Sequence, residues 1–177
     1  MNFLWILLFL IIQRLAELTL AARNRRRALA RGGIEYHPET YKKFIWLHCL
    51  FLLSLLLESY PWQLPLDLLT WFCLVLFGLL QLLRYWCIRS LGEQWNTRII
   101  VIPGAPFCRR GPYRLFKHPN YLVVTLEFAV IPLLARTPLT LLMFSLANLV
   151  LLRQRIRLEE EALREHAGLG IELRGSG

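Results

Sequence analysis

The chain has 177 residues, of which 56% are apolar and 19% charged, and its mean hydropathy is +0.44. That composition is too apolar for one soluble domain of this length, so the surplus must face lipid. The net charge of +9 does not point to nucleic acid, because the basic residues stand in blocks between apolar runs, with no continuous stripe of cations and interleaved aromatics.

In chain order, the first apolar run, about Met1 to Ala22, has no basic leader and no small-residue cleavage site, and reads as a retained membrane helix. Arg23, Arg25, Arg26, Arg27 and Arg31 close it, and a basic loop runs on to Lys42 and Lys43. A second span, about Phe44 to Ser59, ends at Tyr60-Pro61-Trp62, a junction suited to the head-group level. The turn to the third span, about Leu64 to Cys87, has no lysine or arginine. A polar segment from about Arg84 to Tyr121 follows, rich in arginine and broken by Gly104, Pro106, Gly111, Pro112 and Pro119.

The apolar run Leu122 to Leu152 is interrupted at Arg136-Thr137-Pro138, which predicts a helical hairpin. Basic residues then alternate across five crossings, because the first and third loops and the tail are strongly basic while the second loop has no lysine or arginine and the hairpin tip has only Arg136. The reading is an all-α, single-domain bundle of five transmembrane helices in the inner or cytoplasmic membrane. Its N-terminus, Gln63 and Thr137 lie outside; Arg25, Arg110 and the C-terminus are cytoplasmic. Cys49, Cys73, Cys87 and Cys108 are scattered singly, without metal-ligand spacing, and read as buried thiols.

Three places depart from plain lipid-facing helix. Gln13, Arg14 and Glu17 lie inside the first span, where an ionisable residue is costly unless paired or facing a wet cavity; Arg14 and Glu17 share a helix face and can pair. The run from Gly111 to Tyr121 holds tyrosines, Arg114, Lys117, His118 and Pro119 immediately before a membrane helix. Pro119 suits a first helical turn, and the free amides there favour a carboxylate or phosphate. The run Arg153 to Glu161 leaves the last span as a polar helix with four-apart pairs such as Arg155 and Glu159. Taken singly these are an ion pair, head-group anchors and a solvated exit helix. The hairpin, however, returns the last two segments to one membrane face, where they can converge on a site.

The order Gly-Pro-Tyr-Arg-x-x-Lys-His-Pro-Asn-Tyr, hairpin, Arg-x-Glu-Glu-Glu-Ala-Leu resembles the isoprenylcysteine carboxyl methyltransferase family over about residues 84 to 163. Looser versions occur in membrane phospholipid methyltransferases and some sterol reductases. Lys117 stands where the family usually has arginine, which keeps the charge but loses the bidentate fork, and Val123 stands where it usually has glycine. Gln13-Arg14-Leu15-Ala16-Glu17-Leu18 and Gly32-Gly33-Ile34-Glu35 are similar to small bacterial members.

The resemblance implies a cytoplasmic S-adenosylmethionine pocket lined by Tyr113, His118, Pro119, Tyr121 and Leu122. Lys117 would stand near the cofactor carboxylate, with Arg157, Glu159 and Glu160 on the other side. It also implies a lipophilic or prenylated substrate arriving from the membrane lipids. A carboxylate acceptor needs no base; for a hydroxyl or amine, His118 and Glu127 are the catalytic candidates. The competing readings are an NADPH-dependent reductase of sterol-like lipids and a non-catalytic membrane subunit.

Overall fold

The computed structural model describes residues 1–105 and 108–175, with side chains described as far as Glu165. Pro106 and the side chain of Arg174 in the basic tail lie outside the described residues. Five helices make up the bundle: α1 Leu4–Ala30, α2 Pro38–Glu58, α3 Leu68–Leu91, α4 Pro119–Ala135 and α5 Pro138–Gly175. Four of them, all but α4, are long and apolar enough to cross a membrane. The large side chains exposed along them are mostly leucine, phenylalanine and tryptophan, as a lipid-facing surface requires.

α4 is shorter, at 17 residues, or about 26 Å at roughly 1.5 Å per residue. It is the central helix, packed between α3 and α5, with Val123, Phe128, Ile131 and Leu134 almost completely buried. Stacking of Phe51 on Phe128, ring centroids 4.3 Å apart, ties α2 to it.

The hairpin expected at Arg136-Thr137-Pro138 is present. Arg136 adopts the left-handed conformation that ends α4 (φ 58°, ψ 40°), and Pro138 opens α5. Asp67 caps α3 by accepting from the Thr70 amide at 2.9 Å, and also takes Arg136 at 2.6 Å. Glu58 caps α5 by accepting from the Leu139 and Thr140 amides at 2.9 and 2.8 Å. At the same end the Met1 ammonium donates to the Leu64 carbonyl at 3.2 Å and the Phe3 amide to the Trp62 carbonyl at 2.8 Å. The chain start, the second loop and the hairpin tip therefore share one end of the bundle. The motif-bearing segments share the other.

The chain is helical as expected, apart from one small strand pair at that second end. The basic stretch after the first span continues α1 to Ala30, and beyond it strand β1, Ile34–Tyr36, pairs antiparallel with β2, Ile99–Val101, with Glu35 opposite Ile100. Ile99 and Val101 pack with Ala162 of α5, so this small sheet fixes where the acidic exit of α5 lies. Glu35 receives Arg25 at 2.9 Å and Arg98 at 2.5 Å. Asn24 donates to the carbonyls of Gly92 and Trp95 at 3.0 and 2.8 Å, holding α1 to the turn after α3.

Candidate functional site

The motif segment opens with a short 3-10 helix, Gly111–Arg114, packed against α3. Gly111 has a positive φ of 54°, and a Cβ there would stand 2.2 Å from Ser90 Oγ and 2.8 Å from Trp86 Nε1, so only glycine lets the chain turn this close to α3. That turn sets Tyr113 against Cys87; burial, and next the neighbouring thiol, push the Tyr113 phenol above its ordinary pKa. His118 then precedes α4 without a capping side-chain bond, and Pro119 fills the first helical position.

From α4 the ring of His118 stacks on Tyr121, with centroids 5.3 Å apart and 16° between planes. The Tyr121 hydroxyl donates to Glu159 and accepts from Arg155 Nε at 3.0 Å. Arg155 also donates to the Thr97 carbonyl at 2.7 Å and lies over the Phe44 ring at 5.3 Å. On the outer side Lys117 Nζ pairs with Glu160 at 2.6 Å, and His118 Nε2 is 3.5 Å from the same carboxylate. That separation is ion-pair reach, too long for a good hydrogen bond. The buried Asn120 Oδ1 meets no donor among the described residues. The start of α4 and the acidic exit of α5 thus converge as the hairpin requires.

Not every residue singled out in the sequence joins them. Leu122, 41% exposed, points away, and Arg157 is exposed. Pro119 is buried at the head of α4. Glu127 is 1% exposed and is not a free carboxylate. It lies six residues further along α4 than Tyr121, or about 9 Å at roughly 1.5 Å per residue. There it accepts from Gln81 Nε2 at 2.9 Å, Arg14 Nη2 at 3.0 Å and Arg84 Nε at 3.1 Å, with a further bond from Arg84 Nη2. Arg84 and Arg14 also reach Glu17, at 3.2 and 2.8 Å, and Gln13 completes the group at 2.9 Å. Two arginines and two glutamates from three helices cancel in charge, which makes an ion cluster tolerable at membrane depth.

Arg84 and Arg155 are the residues that sequence reasoning missed. Arg84 stood within the third apolar run, where an ionisable residue is itself a signal, but it read as the start of the polar segment. Arg155 read as a partner of Glu159 along its own helix, whereas it bridges to Tyr121 and Thr97.

The fold and the cluster define a polytopic helical membrane protein that gathers cations, aromatic rings and carboxylates at one end of its central hairpin. The profile of the isoprenylcysteine carboxyl methyltransferase family matches residues 71–165, from the first turn of α3 through the exit of α5. The chain belongs to that family. The uncharacterized protein YpbQ of Bacillus subtilis strain 168 is 41% identical over 166 residues, spanning 92% of this chain and 98% of its own length. An uncharacterized protein of Haemophilus influenzae strain Rd is 22% identical over 151 residues, 85% of this chain and 88% of the relative. No solved structure matches the chain significantly.

Proposed function

We propose that this chain is an S-adenosylmethionine-dependent methyltransferase of a lipophilic acceptor, with five membrane crossings, its N-terminus outside and its cofactor side in the cytoplasm. The observation that carries the reading is the meeting of Lys117, His118 and Tyr121 at the head of α4 with Glu159 and Glu160 on α5, in a chain of this family. When bound, the cofactor supplies a methyl group on a sulfonium, so its transfer needs positioning and electrostatic shaping more than a strong catalyst.

The residues present fit that ligand. Its carboxylate suits Lys117 and the uncapped first turn of α4. The buried Asn120 Oδ1 has an unmet need for a donor, which the cofactor's ammonium or amine can fill. Glu159 and Glu160 offer acceptors for ribose hydroxyls. Tyr113 and His118 provide ring surfaces, and Arg155 holds Tyr121 and Glu159 in place. Arg157 and Leu122 face outward and are given no contact. Glu127, held by its three partners, is assigned to positioning through the ion cluster, which leaves His118 as the candidate base beside the cofactor. The apolar belt around the helices delivers the acceptor from lipid.

Calorimetric titration of the detergent-solubilised protein with S-adenosylhomocysteine and, separately, with NADPH tests the proposal. Binding of S-adenosylhomocysteine alone is expected. Binding of NADPH alone would replace the proposal with a reductase, and binding of neither with a membrane subunit.

A further inference from the structure

Two polar side chains that the site above does not use lie deeper in the bundle. Asn148 of α5 is 0% exposed, and neither its Oδ1 nor its Nδ2 has a hydrogen-bond partner among the described residues. A buried amide left unpaired at both atoms is rare and costly. His48 of α2 places Nδ1 2.8 Å from the Phe44 carbonyl. A carbonyl only accepts, so Nδ1 carries the proton and Nε2 presents its lone pair. That Nε2 is shielded and meets no donor among the described residues.

The two residues stand at one level. α2 and α5 run antiparallel, as the bond of Ser54 with Thr140 at 2.6 Å, the contact of Phe51 with Phe144 at 5.7 Å and the seat of Arg155 over Phe44 establish in turn. That register sets position 48 opposite position 148, about two helical turns inward from Arg155. A narrow cleft between α1, α2 and α4 opens beside His48, with apolar walls from Leu10, Leu52 and Ile131 and with the paired Arg14 and Glu127 as its charged groups.

We infer that this level of the bundle, between His48 and Asn148, is a binding site for the polar tip of a lipophilic molecule bearing a hydroxyl group. Membrane depth and apolar walls select a lipophilic body, and the narrowness of the cleft admits only the tip. A hydroxyl can donate its one proton to His48 Nε2 or Asn148 Oδ1 and accept from Asn148 Nδ2 through its oxygen, whereas an ionised carboxylate has no proton for either acceptor. The neighbouring ion cluster is already neutral, with Arg14 and Arg84 set against Glu17 and Glu127, so it leaves no unmatched cation for a carboxylate. The identification of this ligand as the methyl acceptor rests on the proposed methyltransferase activity; the site itself does not.

The probes are 4-dodecylphenol and, as the carboxylate of matched length, 4-dodecylbenzoate, titrated calorimetrically into the full chain in nanodiscs. Wild-type protein is expected to bind the phenol at least about tenfold more tightly than the benzoate, the scale of one satisfied hydrogen bond. Asn148→Leu, which keeps the size of the side chain and removes the unpaired amide, is expected to weaken phenol binding about tenfold while its thermal midpoint stays level or rises. His48→Phe is the second variant and is expected to weaken the phenol alike, with S-adenosylhomocysteine affinity within about twofold of wild type in both.

Equal binding of the two probes, or wild-type phenol affinity in either variant that folds, would overturn the site. So would a fall in thermal midpoint for Asn148→Leu at unchanged phenol affinity, since Asn148 would then be a structural residue. Loss of S-adenosylhomocysteine binding in the wild type, with the phenol results as expected, would sink the methyltransferase reading and leave the site standing.

Discussion

Tyr121 and Arg155 are joined through a single oxygen: the phenol accepts from Arg155 Nε at 3.0 Å while donating to Glu159. One atom of α4 therefore holds both a cation and a carboxylate of α5, and Arg155 carries the link on to the Thr97 carbonyl. Tyr121→Phe leaves the buried Arg155 with an unpaired N–H. The variant is expected to lose about 1–3 kcal/mol of stability, the cost of orphaning a buried donor, together with cofactor affinity. Thermal unfolding and cofactor titration measure the two losses; an unchanged midpoint would show that Arg155 finds another acceptor.

The ion cluster makes a different prediction, because buried charges are far more costly to separate than to remove together. Arg84→Met leaves Glu127 and Glu17 with Arg14 as their one remaining cation and is expected to cost about 3–5 kcal/mol. Adding Glu127→Leu, which leaves Arg14 paired with Glu17 at 2.8 Å, should recover a large part of that loss. Unfolding midpoints of the purified proteins in one detergent decide the matter, and a double variant less stable than Arg84→Met would contradict it.

At the polar end, stability should depend on pH through Glu35. Burial raises its pKa, and the hydrogen bonds and charges of Arg98 and Arg25 more than offset that, leaving the carboxyl below its ordinary value. A depressed folded pKa means that the stabilisation is present above the unfolded carboxylate pKa and is lost as pH falls through the folded one. Wild type is therefore expected to exceed Glu35→Gln in stability at neutral pH, and the gap to close in acid below the ordinary carboxylate range. A gap independent of pH would assign the effect to packing of the small sheet.

Topology follows from which loops share an end. Gln63 and the hairpin tip lie at one end of the bundle, and Arg25 and Arg110 belong to the other. Single cysteines at Gln63 and Arg136 in a cysteine-free background are expected to label from outside, and those at Arg25 and Arg110 only after the membrane is opened. Thr137, 1% exposed, is a poor probe. Labelling of position 136 only from the cytoplasmic side would remove the fifth crossing.

The hairpin was legible because an arginine, a threonine and a proline broke an otherwise unbroken apolar run, and a proline cannot continue a helix. Its consequence, the convergence of the motif at the head of α4 with the glutamates of α5, was legible with it. The strand pair was not: two segments of three residues, far apart in sequence, carry too little alternation to register as strands, and only tertiary contact with Ala162 makes them pair. Arg84 was obscured because a basic residue near the end of an apolar run looks like a cytoplasmic flank. Arg155 was obscured because a glutamate four residues on offered a nearer partner than a tyrosine on another helix. The outward direction of Leu122 and Arg157 depends on helix rotation, which adjacency to a motif does not set.

The central claim is that the acidic exit of α5 helps to hold S-adenosylmethionine, and titration of S-adenosylhomocysteine into wild type, Glu159→Gln and Glu160→Gln tests it most directly. Each substitution keeps the side-chain size and removes one charged acceptor, so each is expected to weaken binding by about 1.5–3 kcal/mol, the range for hydrogen bonds to charged groups. Wild-type affinity in both variants would contradict the account.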